Sequence, residues 1–239
     1  MQKISWNTRK KIIHYLWCKK NIWKNEEKLW NIVHTYKNIL WIIPWIWCIC
    51  ICNSLAMNNC HEQSDIDLFV ITKKNRLWTA RIFLTIITTL LKIRKNSKKH
   101  KEMFCLSFFV SKEENNFLDI AIKDDIYLAY WIETLIPIVN KNNVFEEFII
   151  NNKLTNMHSI KKFSWKWKKQ DRLYIIKKLI AWWCMKLWDL QEFFFKKIFL
   201  PKTIKKFYAL WKPFWVIIRD TMLKFHNKDK RKEIRNAII

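Results

Sequence analysis

The sequence contains no glycine in 239 residues, and that absence constrains the chain before anything else does. Average usage would supply about 17 glycines over this length, at about 7%. Left-handed backbone positions in tight turns and at helix C-termini must therefore be met by other residues, which all carry a Cβ that resists such angles. The deficit nearly matches the 16 tryptophans. Some bacteria read UGA as glycine, and translating such a gene with UGA as tryptophan produces this pattern, so some Trp are expected to be Gly in the native protein. Acidic residues are also scarce, with 20 Asp and Glu against 45 Lys and Arg and a net charge of +25. A surplus of that size attracts polyanions, which points to a nucleotide or nucleic-acid partner. An AT-rich genome, which inflates Lys, Ile, Asn and Phe together, contributes to the same composition.

A membrane-spanning run is missing as well. The most apolar stretch, Ile82 to Leu91 within a helix expected over residues 76–94, is shorter than the roughly 20 residues a span requires, and Thr85, Thr88 and Thr89 interrupt it. A helix buried across a sheet is the expectation, with peripheral membrane contact through its basic flanks as the lesser alternative. The seven cysteines, at 18, 48, 50, 52, 60, 105 and 184, are odd in number and show no framework spacing. A reducing cytoplasm is the expected compartment, and Cys48, Cys50 and Cys52 are expected to pack in the core from one face of a strand.

Hydrophobic residues make up 51% of the chain, enough for a sizeable core in one or two domains. The informative stretch is Asn53 to Thr72. An apolar run from Trp45 to Cys52 reads as one core strand, and Asp65 to Thr72 reads as a second. Residues two apart in a strand share a face, about 6.6 Å apart along the chain, so Asp65 and Asp67 project together while Ile66 and Leu68 turn away. Hard divalent cations such as Mg²⁺ take carboxylate oxygens, and a two-metal site needs ions about 4 Å apart that neighbouring carboxylates bridge. Asn53 and Ser54 open the intervening helical turn, where a hydroxyl and free N–H groups suit phosphate oxygens.

A small residue plus Ser, a short helical spacer from Leu55 to Ser64, and Asp-x-Asp on an apolar strand resemble the signature of the DNA polymerase beta-type nucleotidyltransferase superfamily. The stretches Lys73 to Trp78, Phe104 to Phe109, Asp125 to Tyr130 and Leu223 to His226 resemble an uncharacterised bacterial branch of it, so the likeness covers most of the chain. The sequence departs from the pattern twice. Asn53 stands where the superfamily has Gly, a substitution Asn can make because it tolerates a left-handed backbone. The superfamily's third carboxylate would fall near Leu106-Ser107-Phe108, where Ser107 offers none; Asp119 is the best substitute, with Glu113 and Glu114 behind it.

The resemblance implies an α/β (α+β) fold with a small mixed sheet, covering helices and a helical C-terminal region. The domains would be a helical region over 1–44, the nucleotidyltransferase-like domain over 45–150 and a basic helical region over 151–239. Its chemistry is transfer of a nucleoside monophosphate from an NTP to a hydroxyl on a protein, small molecule or RNA end, with Asp65 and Asp67 holding two Mg²⁺, Asp119 as third catalytic acid, and Asn53 and Ser54 binding nucleotide. A catalytically silent nucleotide- or RNA-binding module of the same fold is the alternative, and a membrane-peripheral scaffold the more distant one. Within Leu210 to Ile218, Trp211 and Trp215 stand where related proteins read Gly, whereas Trp78 matches a Trp. His226 and Arg231 are expected on a solvated, salt-bridged helix, with phosphate contact as the alternative.

Overall fold

Residues 4–16, 22–152, 188–209, 216–225 and 229–239 are described by the structure, a computed structural model. Two helices come first, α1 (Trp6–Leu16) and α2 (Ile22–Trp41), and Leu29, Val33 and Leu40 of α2 are buried at helical spacing. Past Pro44 the apolar run becomes β1 (Ile46–Cys52), followed by the single turn α3 (Asn53–Ala56) and by β2 (Ile66–Thr72). Then come α4 (Leu77–Leu90), β3 (Phe104–Ser111), α5 (Ile126–Glu133), β4 (Ile136–Asn140) and α6 (Val144–Asn151). The C-terminal part adds α7 (Trp188–Ala209), β5 (Ile217–Ile218), β6 (Met222–Lys224) and α8 (Arg231–Ile238).

The strands form one six-stranded mixed sheet in the order β4-β1-β2-β3-β6-β5. Only β2 and β3 pair in parallel, joined by the α4 crossover; all other neighbours are antiparallel. Alternation along β1 and β2 divides the core. Ile49, Ile51, Ile66, Leu68 and Val70 face a cluster covered by α2 and α4, whereas Cys48, Cys50, Cys52, Phe69 and Ile71 face one built by α5 and α6. The α+β architecture expected from the sequence is therefore present, and the three alternating cysteines are core residues as expected.

Three further features complete the fold. Pro137 lies inside β4, beyond α5, which ends at Glu133. β4 is an edge strand, where a missing N–H is tolerated. The region beyond residue 150 also supplies β5 and β6 to the central sheet. The tail helix begins at Arg231, and that residue is buried rather than solvated: its guanidinium bonds Asp125 at 2.8 Å and Asp229 at 2.7 Å, locking α8 against the capped start of α5. Arg231 is thereby structural, while His226 lies outside the described residues, as do Trp211 and Trp215.

Left-handed backbone is handled without glycine. Eight described residues have positive φ, five of them Asn (53, 58, 75, 142 and 143), with Asp124, Lys92 and Glu102 completing the set. Asn and Asp bear this conformation best among residues with a Cβ, since their short side chains bond locally. No tryptophan stands at any of these eight positions. Trp78 is a core residue, 2% exposed.

Candidate functional site

The site forms where β1 ends and β2 begins. Antiparallel pairing sets Cys52 opposite Asp67, so the chain must turn sharply at Asn53, and it does so at φ 56°. That turn aims the Asn53 side chain at Asp67: Nδ2 donates to Asp67 Oδ2 at 2.9 Å, while Oδ1 accepts from Trp131 Nε1 at 2.8 Å. The amide thus bridges a carboxylate to an indole of α5 and holds both. Asp67 is only 8% exposed, and burying a charge demands such partners.

Asp65, just before β2, accepts from Lys95 Nζ at 2.5 Å. Lys95 is delivered by the segment after α4, which pairs with the start of β3 through an Arg94–Phe104 bridge and a Lys95 N–H to Phe104 carbonyl bond. Burial pulls the Lys95 ammonium down, but the Asp65 bond and the nearby Cys105 and Asp67 outweigh it, and its pKa is raised.

The parallel register places Cys105 beside Asp67. Between this pair and Phe69–Phe108 the strands slip, with an extra residue in β3, and both Cys105 and Ser107 face the cleft. Ligand atoms of Asp65, Asp67 and Cys105 all lie within 4.8 Å of one another. Burial, then the charge of Asp67, pushes the Cys105 thiol up to about 12. A neutral thiol is a poor ligand for a hard cation. Mg²⁺, however, is commonly held by one or two carboxylates completed by water and substrate phosphate, so this donor set fits one such ion through Asp65 and Asp67. A second ion would lack a third protein carboxylate in this group.

The cavity around these groups, about 490 Å³, is lined also by Arg81, Arg94, Leu106 and Phe225. Arg81 comes from α4 and stacks on Phe225, its guanidinium carbon 4.1 Å from the ring centre. Burial, then the neighbouring Arg94, lowers its pKa to about 10.

The structure brings together Asn53, Asp65 and Asp67 of the expected set. It does not bring Asp119 into the group: that residue is exposed, in a 3-10 turn (Leu118–Ile120) beyond β3, and the third close ligand atom is the Cys105 sulfur. The side chain of Ser54 is turned to Cys60, whose thiol it hydrogen-bonds, and it is not among the residues lining the cavity. Sequence reasoning missed Arg81 and Cys105. Arg81 carried a usable signal, being the single charged residue in α4. No family model, curated protein or solved structure matches this chain.

Proposed function

We propose that the protein is a nucleotidyltransferase that moves a nucleoside monophosphate from an NTP to a hydroxyl acceptor. The observation that carries this reading is the Asp65–Asp67 pair, held within 4.8 Å of Cys105 at one end of a mixed sheet, in a cavity shared with Arg81, Arg94 and Lys95. Carboxylates suit a cation and the basic groups suit polyphosphate, which is the charge pattern of a metal–nucleotide complex. Bound Mg²⁺ would supply charge neutralisation at the triphosphate and a lowered pKa for the acceptor hydroxyl. The chain's own part is to fix geometry: Asn53 orients Asp67, and Lys95 balances Asp65 until a cation arrives. In the transfer the acceptor oxygen forms a bond to the α-phosphorus, the bond to the bridging oxygen breaks, pyrophosphate leaves with that electron pair, and the acceptor proton passes to water.

One observation favours the alternative of a catalytically silent nucleotide- or RNA-binding module: the position nearest the two carboxylates on β3 holds a thiol instead of a third acid. The cytoplasm is the compartment that suits the buried free thiols, including Cys48 and Cys50, whose sulfurs share a hydrogen bond at 3.5 Å. No helix among the described residues is long and apolar enough to cross a membrane.

Pyrophosphate release from each NTP, with a mixture of hydroxyl acceptors and Mg²⁺, tests the reading. Asp67→Asn preserves shape and is expected to remove both turnover and Mg²⁺-dependent NTP binding. Mg²⁺-dependent binding without turnover in the unsubstituted protein selects the silent module, and binding unaffected by Asp67→Asn refutes both.

A further inference from the structure

Two guanidinium groups, those of Arg81 and Arg94, line the cleft, and among the described residues neither is paired with an acid. Arg81 projects from the middle of an otherwise uncharged helix, and its Nη1 is sealed from solvent with no hydrogen-bond partner among the described residues. Neither Arg81 nor Arg94 has an ion pair with a carboxylate of the described residues, although Asp65 and Asp67 line the same cavity. Like charges repel, and a buried donor left unpaired is costly, so a fold that keeps both arginines here loses stability it could recover by replacing either. Arg231, which is more deeply buried, instead bonds two carboxylates and a backbone carbonyl.

Several structural details hold the pair in place. Phe225 stacks on Arg81 at 4.1 Å, with Phe109 on the same group at 5.5 Å, fixing the plane of the guanidinium. Phe225 is itself anchored by its N–H to the Ser107 carbonyl at 2.8 Å. Arg94 is anchored by the backbone bridge to Phe104. A guanidinium held between two rings, with one nitrogen sealed from solvent and lacking an acceptor among the described residues, and a second guanidinium lining the same cavity match the tetrahedral oxygens of a phosphate group, which accepts the two-pronged bonds a guanidinium offers.

We propose that Arg81 and Arg94 form a binding site for a phosphate group on the β3 flank of the cleft, and that it binds without a metal ion. The site takes either the polyphosphate tail of the nucleotide or a phosphate carried by the acceptor. This extends the nucleotidyltransferase reading and rests on it only for which molecule carries the phosphate.

The test is calorimetric titration of the full chain with inorganic tripolyphosphate in EDTA, with thermal melting alongside. The unsubstituted protein is expected to bind and to melt higher with the anion. Arg81→Gln and Arg94→Gln are each expected to lower affinity by about tenfold or more. Lys98→Gln with Lys99→Gln, two exposed lysines outside the cavity, controls for general attraction to a basic protein and is expected to leave affinity within about twofold. Arg81→Gln should also raise the melting temperature without ligand, which verifies folding while relieving the unpaired charge. Equal affinity in the arginine variants and the unsubstituted protein, or binding that vanishes in EDTA, overturns the proposal. Competition then separates the sources: displacement of tripolyphosphate by a non-hydrolysable NTP assigns the site to the nucleotide, and simultaneous binding assigns it to the acceptor. Failure of NTP turnover with anion binding intact would overturn the nucleotidyltransferase reading and leave this site standing.

Discussion

Lys95 Nζ lies 2.5 Å from Asp65 Oδ2, so one of the paired carboxylates already carries a cation supplied by the chain. Both side chains are partly open to solvent, and such a pair contributes only about 0–1 kcal/mol, so a divalent ion can displace it. Replacing Lys95 by Gln is expected to raise Mn²⁺ or Mg²⁺ affinity by about threefold to tenfold, because the ion no longer competes with the ammonium. Isothermal titration with each metal checks this, and weaker binding in the variant would show that Lys95 assists the site instead of guarding it.

Asn53 combines a left-handed backbone with two side-chain bonds, to Asp67 and Trp131. Gly at this position keeps the turn and loses the bonds, and Ala loses both. Asn53→Gly is expected to cost about 1–3 kcal/mol, most of it from the lost bond to a buried carboxylate. Asn53→Ala should cost roughly 1–2 kcal/mol more. Urea unfolding of the two variants measures the difference, and equal costs would show that φ at this position is not restrictive.

Glu192 of α7 closes the start of α4 from a distance in sequence. Its carboxylate accepts from the Trp78 and Thr79 N–H groups and from the Thr79 hydroxyl, at 2.9, 2.7 and 2.7 Å. An acid at a helix N-terminus satisfies orphan donors and complements the helix dipole. Glu192→Ala is therefore expected to destabilise the protein by about 1–2 kcal/mol, and Glu192→Gln by less. Chemical denaturation provides the comparison.

Stability should fall as pH rises above about 9. Cys50, Cys52, Cys60 and Cys105 all have thiols raised above the ordinary value of 9.0, chiefly by burial. In the unfolded chain they ionise near that value, whereas the folded protein holds their protons, so the unfolded state binds fewer protons and gains. Each thiol withdraws about 1.4 kcal/mol per pH unit above 9, up to its folded pKa, which is about 12 for Cys60 and Cys105. Lys224 acts the other way: burial lowers it to about 8, so its contribution improves between pH 8 and its ordinary 10.5. Four thiols outweigh one amine. Melting temperatures from pH 7 to 10.5 should decline beyond 9, and a Cys60→Ala, Cys105→Ala variant should decline less steeply.

The parts of the fold that the sequence revealed are those whose pattern is local. β1, β2 and α4 are apolar runs, and Asp65 with Asp67 is a spacing readable on one strand. β6 is three residues long and exists because Met222, Leu223 and Lys224 pair with Val110, Phe109 and Phe108, a relationship spanning more than a hundred residues. Cys105 reaches the carboxylates through parallel register and a slip in β3, neither of which leaves a mark in composition or periodicity. Arg94 and Lys95 reach the cleft through the Arg94–Phe104 bridge, a long-range pairing that the run of basic residues around them does not reveal.

The chain order of the sheet has a consequence for synthesis. β3 emerges with one edge paired to β2, but its other partner, β6, ends at Lys224, 113 residues after Ser111. At about 5–20 residues per second, the ribosome leaves the edge of Phe108, Phe109 and Val110 without its neighbour for roughly 6–23 s. An apolar edge of that kind invites pairing with another nascent chain. The same late arrival brings Phe225 to the Ser107 carbonyl and to Arg81, so the cleft acquires its last wall only after that residue has emerged, long after Asp65 and Asp67 are in place.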